Sequence, residues 1–98
     1  MFSTLLHNNM GNRSRTEIVG SILDAANKGG ETKTKIMYAA FLSYKQLNEY
    51  LSILIENNLI EYRDGTQTFK TTEKGLHFLK MYNESKKLLP QTTQVKND

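Results

Sequence analysis

The chain has 98 residues, of which 38% are hydrophobic and 23% are charged, so it suits one small globular domain rather than a disordered segment. It contains no cysteine, which excludes disulfide bonds, thiolate metal sites and thiol catalysis. The formal charge of +3 is mildly basic, and we expect neither a signal peptide nor a membrane span.

The chain begins with a polar, Asn-rich stretch, and we expect residues 1–12 to form a flexible arm. The segment "SRTEIVGSILDAANKGG" then predicts a first helix. Ser14 and Glu17 form a capping box at its start, and apolar residues follow at helical spacing. The Gly29-Gly30 pair supplies a left-handed exit from it.

Two further helices are predicted on either side of a tight corner. "TKTKIMYAA" reads as a short helix capped by Thr32, and after "FL" a second capping box of Ser43 and Gln46 starts a third helix. The pair Asn57-Asn58 is predicted to end this helix, because Asn tolerates the left-handed conformation. The apolar side of this third helix is predicted to consist of Leu47, Tyr50, Leu51, Leu54 and Ile55.

The next segment, "LIEYRDGTQTFKT", predicts a β-hairpin. Asp64-Gly65 is a strong signal for a two-residue type I′ turn, which requires positive φ at both positions. The resulting register sets Arg63 opposite Thr66, Glu61 opposite Thr68 and Ile60 opposite Phe69.

A fourth helix, "TEKGLHFLKMYNESKKLL", is expected to start at Thr71 or Thr72 and to end at Pro90, with Gly75 packed closely on the hairpin. Part of its apolar surface must pack on the domain itself. We expect Leu76 and Leu79 to face the domain. The remaining ones are candidates for a dimer interface: Phe78, Met81, Tyr82, Leu88 and Leu89.

The predicted order is therefore helix, helix, helix, hairpin, helix. This is a mainly α fold with a β-hairpin (α+β), and a helix-turn-helix followed directly by a hairpin is a winged helix. We expect a winged-helix domain at residues 13–72, a C-terminal helix at 73–89 and a flexible tail at 90–98.

Several segments taken together resemble a family of small archaeal winged-helix proteins: "KTKIMY", "LSYKQL", "YL..L...NLI" and "TEKG". That family includes chromosomal DNA-binding proteins and predicted transcriptional regulators of the ArnR-like type. The resemblance covers roughly residues 14–80. It implies a winged-helix fold, double-stranded DNA as the ligand and a homodimer joined through the C-terminal helix. The fourth helix is shorter here than the long coiled-coil helix of the better-known members.

The charge distribution and the exposed side chains predict which residues would meet DNA. The segment Thr32 to Asn48 holds three lysines and no acid, which suits one basic side facing a polyanion. We predict that lysines of the second helix bind phosphates and that polar side chains of the third helix contact base edges. The hairpin tip is predicted to make one further contact with the DNA. The candidates are Lys33, Lys35, Ser43, Tyr44, Lys45, Gln46, Asn48, Arg63 and Gln67, with Glu49 a weak addition and Arg13 and Arg15 possible extra phosphate contacts.

The main prediction is a DNA-binding regulator in the cytoplasm, associated with the nucleoid. Three other interpretations stay open beside it. One is a chromosomal protein that coats DNA without much preference, and another is a winged helix that serves as a protein-interaction module, which Ile53 favours. An enzyme ranks last, since we find no paired carboxylates, no phosphate-cradling glycine loop and no metal site from His7 and His77. We expect no cofactor, no metal and no small-molecule ligand.

Overall fold

The computed structural model describes residues 13–88, and over this range the chain forms four helices and a two-stranded antiparallel hairpin. This order confirms the predicted winged-helix architecture. The predicted arm, the predicted tail and Leu89 lie outside the described residues. In chain order the elements are α1 (Arg15–Ala25), α2 (Lys33–Ala40), α3 (Tyr44–Glu56), β1 (Ile60–Arg63), β2 (Thr68–Thr71) and α4 (Glu73–Leu88).

Side-chain caps start the first three helices where the sequence predicts them. The Ser14 hydroxyl accepts from the Glu17 backbone N–H at 3.1 Å, and the Glu17 carboxylate accepts from the Ser14 N–H at 2.9 Å. Thr32 caps α2 through the Lys35 N–H at 3.3 Å. Each cap satisfies backbone donors that have no partner inside the helix, and so fixes where the helix begins.

One hydrophobic core joins all six elements. The largest fully buried side chains come from the three N-terminal helices and β1, as the apolar spacing predicts. Ile55, predicted on the inner side of the third helix, is instead 39% exposed, because it lies on the flank of α3 that turns towards the hairpin. The core consists of Ile22, Leu23, Ala26, Ile36, Ala40, Leu42, Leu47, Leu51, Leu54, Ile60, Phe69 and Leu79.

The hairpin exists, but its predicted register is wrong. Arg63 pairs with Thr68 rather than Thr66, and Tyr62 pairs with Phe69. The loop therefore runs over four residues, Asp64 to Gln67, with the Gln67 N–H on the Asp64 carbonyl at 3.3 Å. Gln67 takes the left-handed conformation at φ 55°, and Gly65 does not have positive φ, so the turn is not type I′.

The corrected register brings buried residues together, and an isolated bridge joins the hairpin to the segment before α2. Ile60 pairs with Thr71, and both are buried. Phe69 also forms an antiparallel bridge with Glu31, through backbone hydrogen bonds of 2.9 and 2.8 Å. The sequence did not predict this bridge, because a strand of one residue has no periodicity.

Helix α4 packs on the domain through its first turns. Thr72 is the residue that caps it, because the Thr72 hydroxyl accepts from the Gly75 N–H at 3.0 Å and donates to the Asn58 carbonyl at 2.6 Å. A Cβ at position 75 would clash with the Leu59 carbonyl oxygen, which confirms the close packing predicted there. Leu79 is buried, but Leu76 is 39% exposed, so the prediction that Leu76 faces the domain is wrong. Over residues 13–88, no helix has the length and apolar character needed to cross a membrane.

Candidate nucleic-acid interface

The corner between α2 and α3 is fixed by backbone contacts. Only Phe41, Leu42 and Ser43 separate the two helices, and Phe41 takes the left-handed conformation at φ 56° and ψ 51°. The Arg13 guanidinium donates to the Ala40 carbonyl at 2.7 Å and to the Phe41 carbonyl at 3.2 Å. Arg13 therefore holds the end of α2, a structural role that the sequence did not predict. Arg15 is exposed on the first turn of α1.

Helix α3 buries one side and exposes the other over its whole length. Lys45, Gln46 and Glu49 are exposed, and so are residues of the later turns. Because α3 is capped at its start by Ser43 and anchored by buried leucines, its leading turns are presented to solvent in a fixed orientation. The exposed side also carries Glu56, so its second half is acidic rather than basic.

Gln46 has a structural role as well as an exposed position. Its Oε1 accepts from the Ser43 backbone N–H at 2.9 Å, and its own N–H donates to the Ser43 hydroxyl at 3.1 Å. This is the capping box that the sequence predicts. A bidentate contact with adenine uses both ends of a Gln amide, and here the oxygen already has a partner.

Asn48 is half-buried and is joined to α2 through Lys33. The Lys33 ammonium donates to Asn48 Oδ1 at 2.8 Å. The same ammonium lies 5.0 Å from the centre of the Tyr44 ring and 5.9 Å from that of Phe69. Lys33 is therefore held between α2, α3 and the hairpin by one hydrogen bond and two cation–π contacts.

Tyr44 is an exposed member of this group, since 60% of it is accessible. Hydrogen bonding from the Asn48 side chain, followed by the positive charge of Lys33, lowers the pKa of the Tyr44 hydroxyl from its usual value. Both effects favour the phenolate form of Tyr44. Lys35 is exposed on the first turn of α2.

The hairpin tip carries a cation that is already paired. Arg63 donates from Nε to Glu61 Oε2 at 2.9 Å, and its Nη2 lies 2.8 Å from the same oxygen. Both side chains are about half exposed, so this pair is weak and a phosphate could replace Glu61. Gln67, the other predicted wing residue, is exposed at the end of the loop.

A shallow groove of about 440 Å³ separates α3 from the hairpin. Its apolar lining includes Tyr62, which is 46% exposed and lies 4.9 Å from the Phe69 ring between ring centres. Ile53, on another side of α3, is 51% exposed. The groove is lined by Lys33, Ile55, Tyr62, Gln67 and Phe69.

The predicted dimer residues of α4 differ in how much the domain itself covers them. Phe78 packs against the core, and a Cβ on Gly20 would lie 2.8 Å from Tyr82, so Tyr82 rests on α1. Burial and, secondarily, the charge of Glu17 raise the pKa of Tyr82. Met81 and Leu88 are 56% and 84% exposed and are separated by two helical turns on the outer side.

Sequence reasoning missed several contacts of this interface. Lys33 with Asn48 and Arg13 with Phe41 are separated by 15 and 28 residues, and neither pair forms a local pattern. Phe41 carried no signal of a left-handed residue, because glycine or asparagine is the usual choice there. In residues 13–88, no three His, Asp or Glu side chains lie together as metal ligands would.

The fold, with this exposed, capped helix beside a hairpin, defines a winged helix-turn-helix domain. The chain belongs to the winged helix-turn-helix family, whose model matches residues 12–89.

Two curated relatives come from Methanocaldococcus jannaschii, and both are uncharacterized proteins. One is 36% identical over 63 residues, which are 64% of this chain and 63% of that protein. The other is 36% identical over 77 residues, which are 79% of this chain and 36% of that protein. The chain thus spans less than two thirds of either relative, and their likeness concerns this domain.

Two solved structures share the fold. Sso10a-2, described as a DNA-binding protein from Sulfolobus solfataricus, superposes with a TM-score of 0.67 at 24% identity, over 78% of this chain and 81% of that one. A mutant of MepR from S. aureus superposes with a TM-score of 0.65 at 17% identity, over 99% of this chain and 81% of that one. At these identities the likeness shows the fold alone.

Proposed function

We propose that this protein binds double-stranded DNA as a homodimer and regulates transcription, with α3 in the major groove and one half-site for each subunit. The observation that carries the proposal is the capped, outward-facing start of α3, where Lys45 and Gln46 are exposed beside the hairpin. A helix fixed in this way can enter a groove without first being ordered. The DNA-binding description of Sso10a-2 supports the same ligand.

Within this proposal the exposed side chains divide into two groups. Lys45 and the free amide N–H of Gln46 reach base edges, while Lys33, Lys35, Arg63 and the leading end of α3 hold phosphates. Ser43 contributes through its cap, Tyr44 through its hydroxyl and Gln67 through the wing. A two-fold axis then sets half-sites about 34 Å apart, or a multiple of that distance.

Two observations bear on the alternative functions. Acidic Glu49 and Glu56 on the outer side of α3 are unlike a surface that coats DNA by charge alone, which weighs against a purely architectural protein. The exposed Ile53 and Tyr62 favour a protein-interaction module as the second candidate. Such a module would bury these apolar side chains against a partner subunit.

The test measures binding of the protein to random and genomic duplex DNA at several salt concentrations. We expect log affinity to fall with log salt at a slope of about −0.9 for each phosphate contact. A slope near zero would contradict DNA binding and support the interaction module. Tight binding to a few genomic fragments supports a regulator, and equal binding to all supports the architectural reading.

A test of base contacts by Lys45 and Gln46 requires a variant that keeps the helix cap. Gln46→Glu preserves the capping box, because Glu accepts from the Ser43 N–H in the same way. It removes the amide donor and adds a negative charge, so Lys45→Ala with Gln46→Glu should lower specific binding by roughly 10- to 100-fold. The same loss on every duplex would contradict base reading by this pair.

A further inference from the structure

Phe41 is unusual in both its backbone and its side chain. It holds the left-handed conformation at φ 56°, which favours glycine, and its ring is nevertheless 66% exposed. The corner does not need the ring, since the backbone N–H of Phe41 bonds to carbonyls of α2 and its carbonyl accepts from Arg13. Neither local strain nor burial in the core therefore explains a phenylalanine at this position.

Two other exposed aromatic side chains flank this corner. Tyr38 and Tyr44 are 70% and 60% exposed, and with Phe41 they are the most exposed aromatic residues among the described positions. All three lie within seven residues that span the end of α2 and the start of α3. Three exposed rings so close together along the chain are more than the single scattered apolar residues of an ordinary protein surface.

The charge around these rings indicates what kind of molecule would cover them. The segment 32–48 contains Lys33, Lys35 and Lys45 and no acid, and the Lys33 ammonium lies over the Tyr44 ring. An apolar protein surface would not complement three lysines, whereas a nucleic acid strand offers phosphates for the cations and base faces for the rings. Duplex DNA keeps its base faces stacked inside, so only unpaired bases can cover an aromatic ring in this way.

We propose that the corner surface, defined as Tyr38, Phe41 and Tyr44 with the adjacent lysines, binds single-stranded DNA by stacking of bases on its aromatic rings. This goes beyond duplex recognition by α3 and does not require α3 to enter a groove. Alanine substitution of one stacking residue typically weakens single-strand binding by roughly 5- to 100-fold.

The experiment measures fluorescence anisotropy of a labelled oligothymidine of about 20 nucleotides, which exceeds the usual single-strand site size. A labelled duplex of random sequence is measured beside it. The variants are Phe41→Gly, which removes the ring, Phe41→Leu, which keeps an apolar side chain, and Phe41→Tyr, which keeps the aromatic face. Tyr38→Ala tests a second ring on an exposed helical position, where alanine is well tolerated.

We expect Phe41→Gly, Phe41→Leu and Tyr38→Ala each to bind oligothymidine roughly 5- to 100-fold more weakly, with Phe41→Tyr unchanged and duplex binding unchanged in all four. Thermal melting checks the fold, and Phe41→Gly should melt no lower than the native chain, because glycine adopts the left-handed conformation freely.

Several results would overturn the proposal: no binding of oligothymidine by the native protein, full binding by Phe41→Gly, or full binding by Phe41→Leu. Full binding by the leucine variant would show that an apolar side chain suffices at position 41 and that bases do not stack on the Phe41 ring. An equal loss on duplex and single strand would assign Phe41 to the duplex interface. Failure of duplex binding with retained oligothymidine binding would contradict the proposed regulator and leave this inference standing.

Discussion

Lys33 belongs to α2, yet its ammonium group lies against α3 and the hairpin. It donates to Asn48 Oδ1 at 2.8 Å and lies over the Tyr44 ring at 5.0 Å. A lysine side chain is otherwise free to rotate, so these contacts reduce the entropy lost when the ammonium binds a phosphate. This makes Asn48 a residue that positions Lys33, although its place on α3 also suits a base contact.

The two roles of Asn48 predict different losses in Asn48→Ala. If Asn48 positions Lys33, Asn48→Ala should lower the affinity for every duplex by a few-fold. In a chain that already carries Lys33→Ala, adding Asn48→Ala should not lower the affinity further. A double-mutant cycle of Asn48→Ala and Lys33→Ala measures this coupling, which we expect to exceed about 0.5 kcal/mol. A loss confined to one DNA sequence, with additive effects, would instead assign Asn48 to base reading.

Lys33→Ala alone should also make the slope of log affinity against log salt shallower by about 0.9, which is the contribution of one phosphate contact. Lys28→Ala is the matched control, since Lys28 is exposed after α1 and lies outside the proposed interface. An unchanged slope in the Lys33 variant would remove Lys33 from the phosphate contacts.

The hairpin turn is the element where local sequence and tertiary structure disagree. The Asp64-Gly65 pair favours a type I′ turn, but the strands pair two residues further out. The observed register buries Ile60 with Thr71, whose N–H and hydroxyl bond to the Ala26 and Leu23 carbonyls at 3.1 and 2.7 Å. These contacts with α1 outweigh the turn preference, and they cannot be read from the hairpin sequence.

Gly65→Ala distinguishes the two turns. In the observed loop Gly65 does not need positive φ and a Cβ there meets nothing within 4 Å, so alanine should stabilise the protein by about 0.4–1 kcal/mol. Gln67→Gly should also stabilise it, by up to about 1 kcal/mol, because Gln67 is the left-handed residue. Urea denaturation measures both, and a destabilised Gly65→Ala would contradict the four-residue loop.

The junction of the hairpin with α4 yields a second prediction at this scale. Within a helix, alanine is more favourable than glycine by about 1 kcal/mol. However, a Cβ at position 75 would clash with the Leu59 carbonyl oxygen, which belongs to a fixed backbone. We expect Gly75→Ala to destabilise the protein by a net amount of roughly 1–3 kcal/mol. Thermal melting would record a decrease of several degrees.

Gly20→Ala is the matched control for this prediction. The nearest atoms to its Cβ would all belong to the Tyr82 ring, which is a movable, partly exposed side chain. The same gain in helix propensity should therefore offset more of the penalty. Equal destabilisation in both variants would contradict the difference between a fixed carbonyl and a movable ring.

These elements show what the sequence could predict and what it could not. The caps at Ser14, Thr32 and Ser43 depend on residues three positions apart, and all were predictable. The hairpin register and the Lys33–Asn48 bond depend on contacts between distant segments, and no local pattern encodes them. The exposed start of α3 was predictable from its periodicity, but the contacts that occupy its side chains were not.

For the molecule as a whole, the exposed part of α4 indicates where two copies would join in the proposed homodimer. In helix α4, Leu79 and Phe78 pack against the core of their own domain, and Tyr82 packs on α1. Of the described candidates, only Met81 and Leu88 stay largely exposed, and they lie on the same outer side of the helix. A dimer through α4 would therefore be centred on these two side chains.

A double variant tests this arrangement through the oligomeric state. Met81→Glu with Leu88→Glu would bury unpaired carboxylates in the proposed interface, so we expect the dimer dissociation constant to rise at least about 100-fold. Light scattering after gel filtration at micromolar protein measures the shift to monomer. Lys80→Glu is the control, because Lys80 is exposed on another side of α4 and should leave the dimer intact.

The same variant connects dimerisation to DNA binding. Two linked half-sites bind together with a high effective concentration, so the monomeric variant should lose affinity for a two-half-site duplex by roughly 100-fold or more. Its affinity for a single half-site should stay unchanged, because α3 and the hairpin are untouched. If the variant stays dimeric, or if its half-site and full-site affinities fall equally, the subunits do not join through Met81 and Leu88.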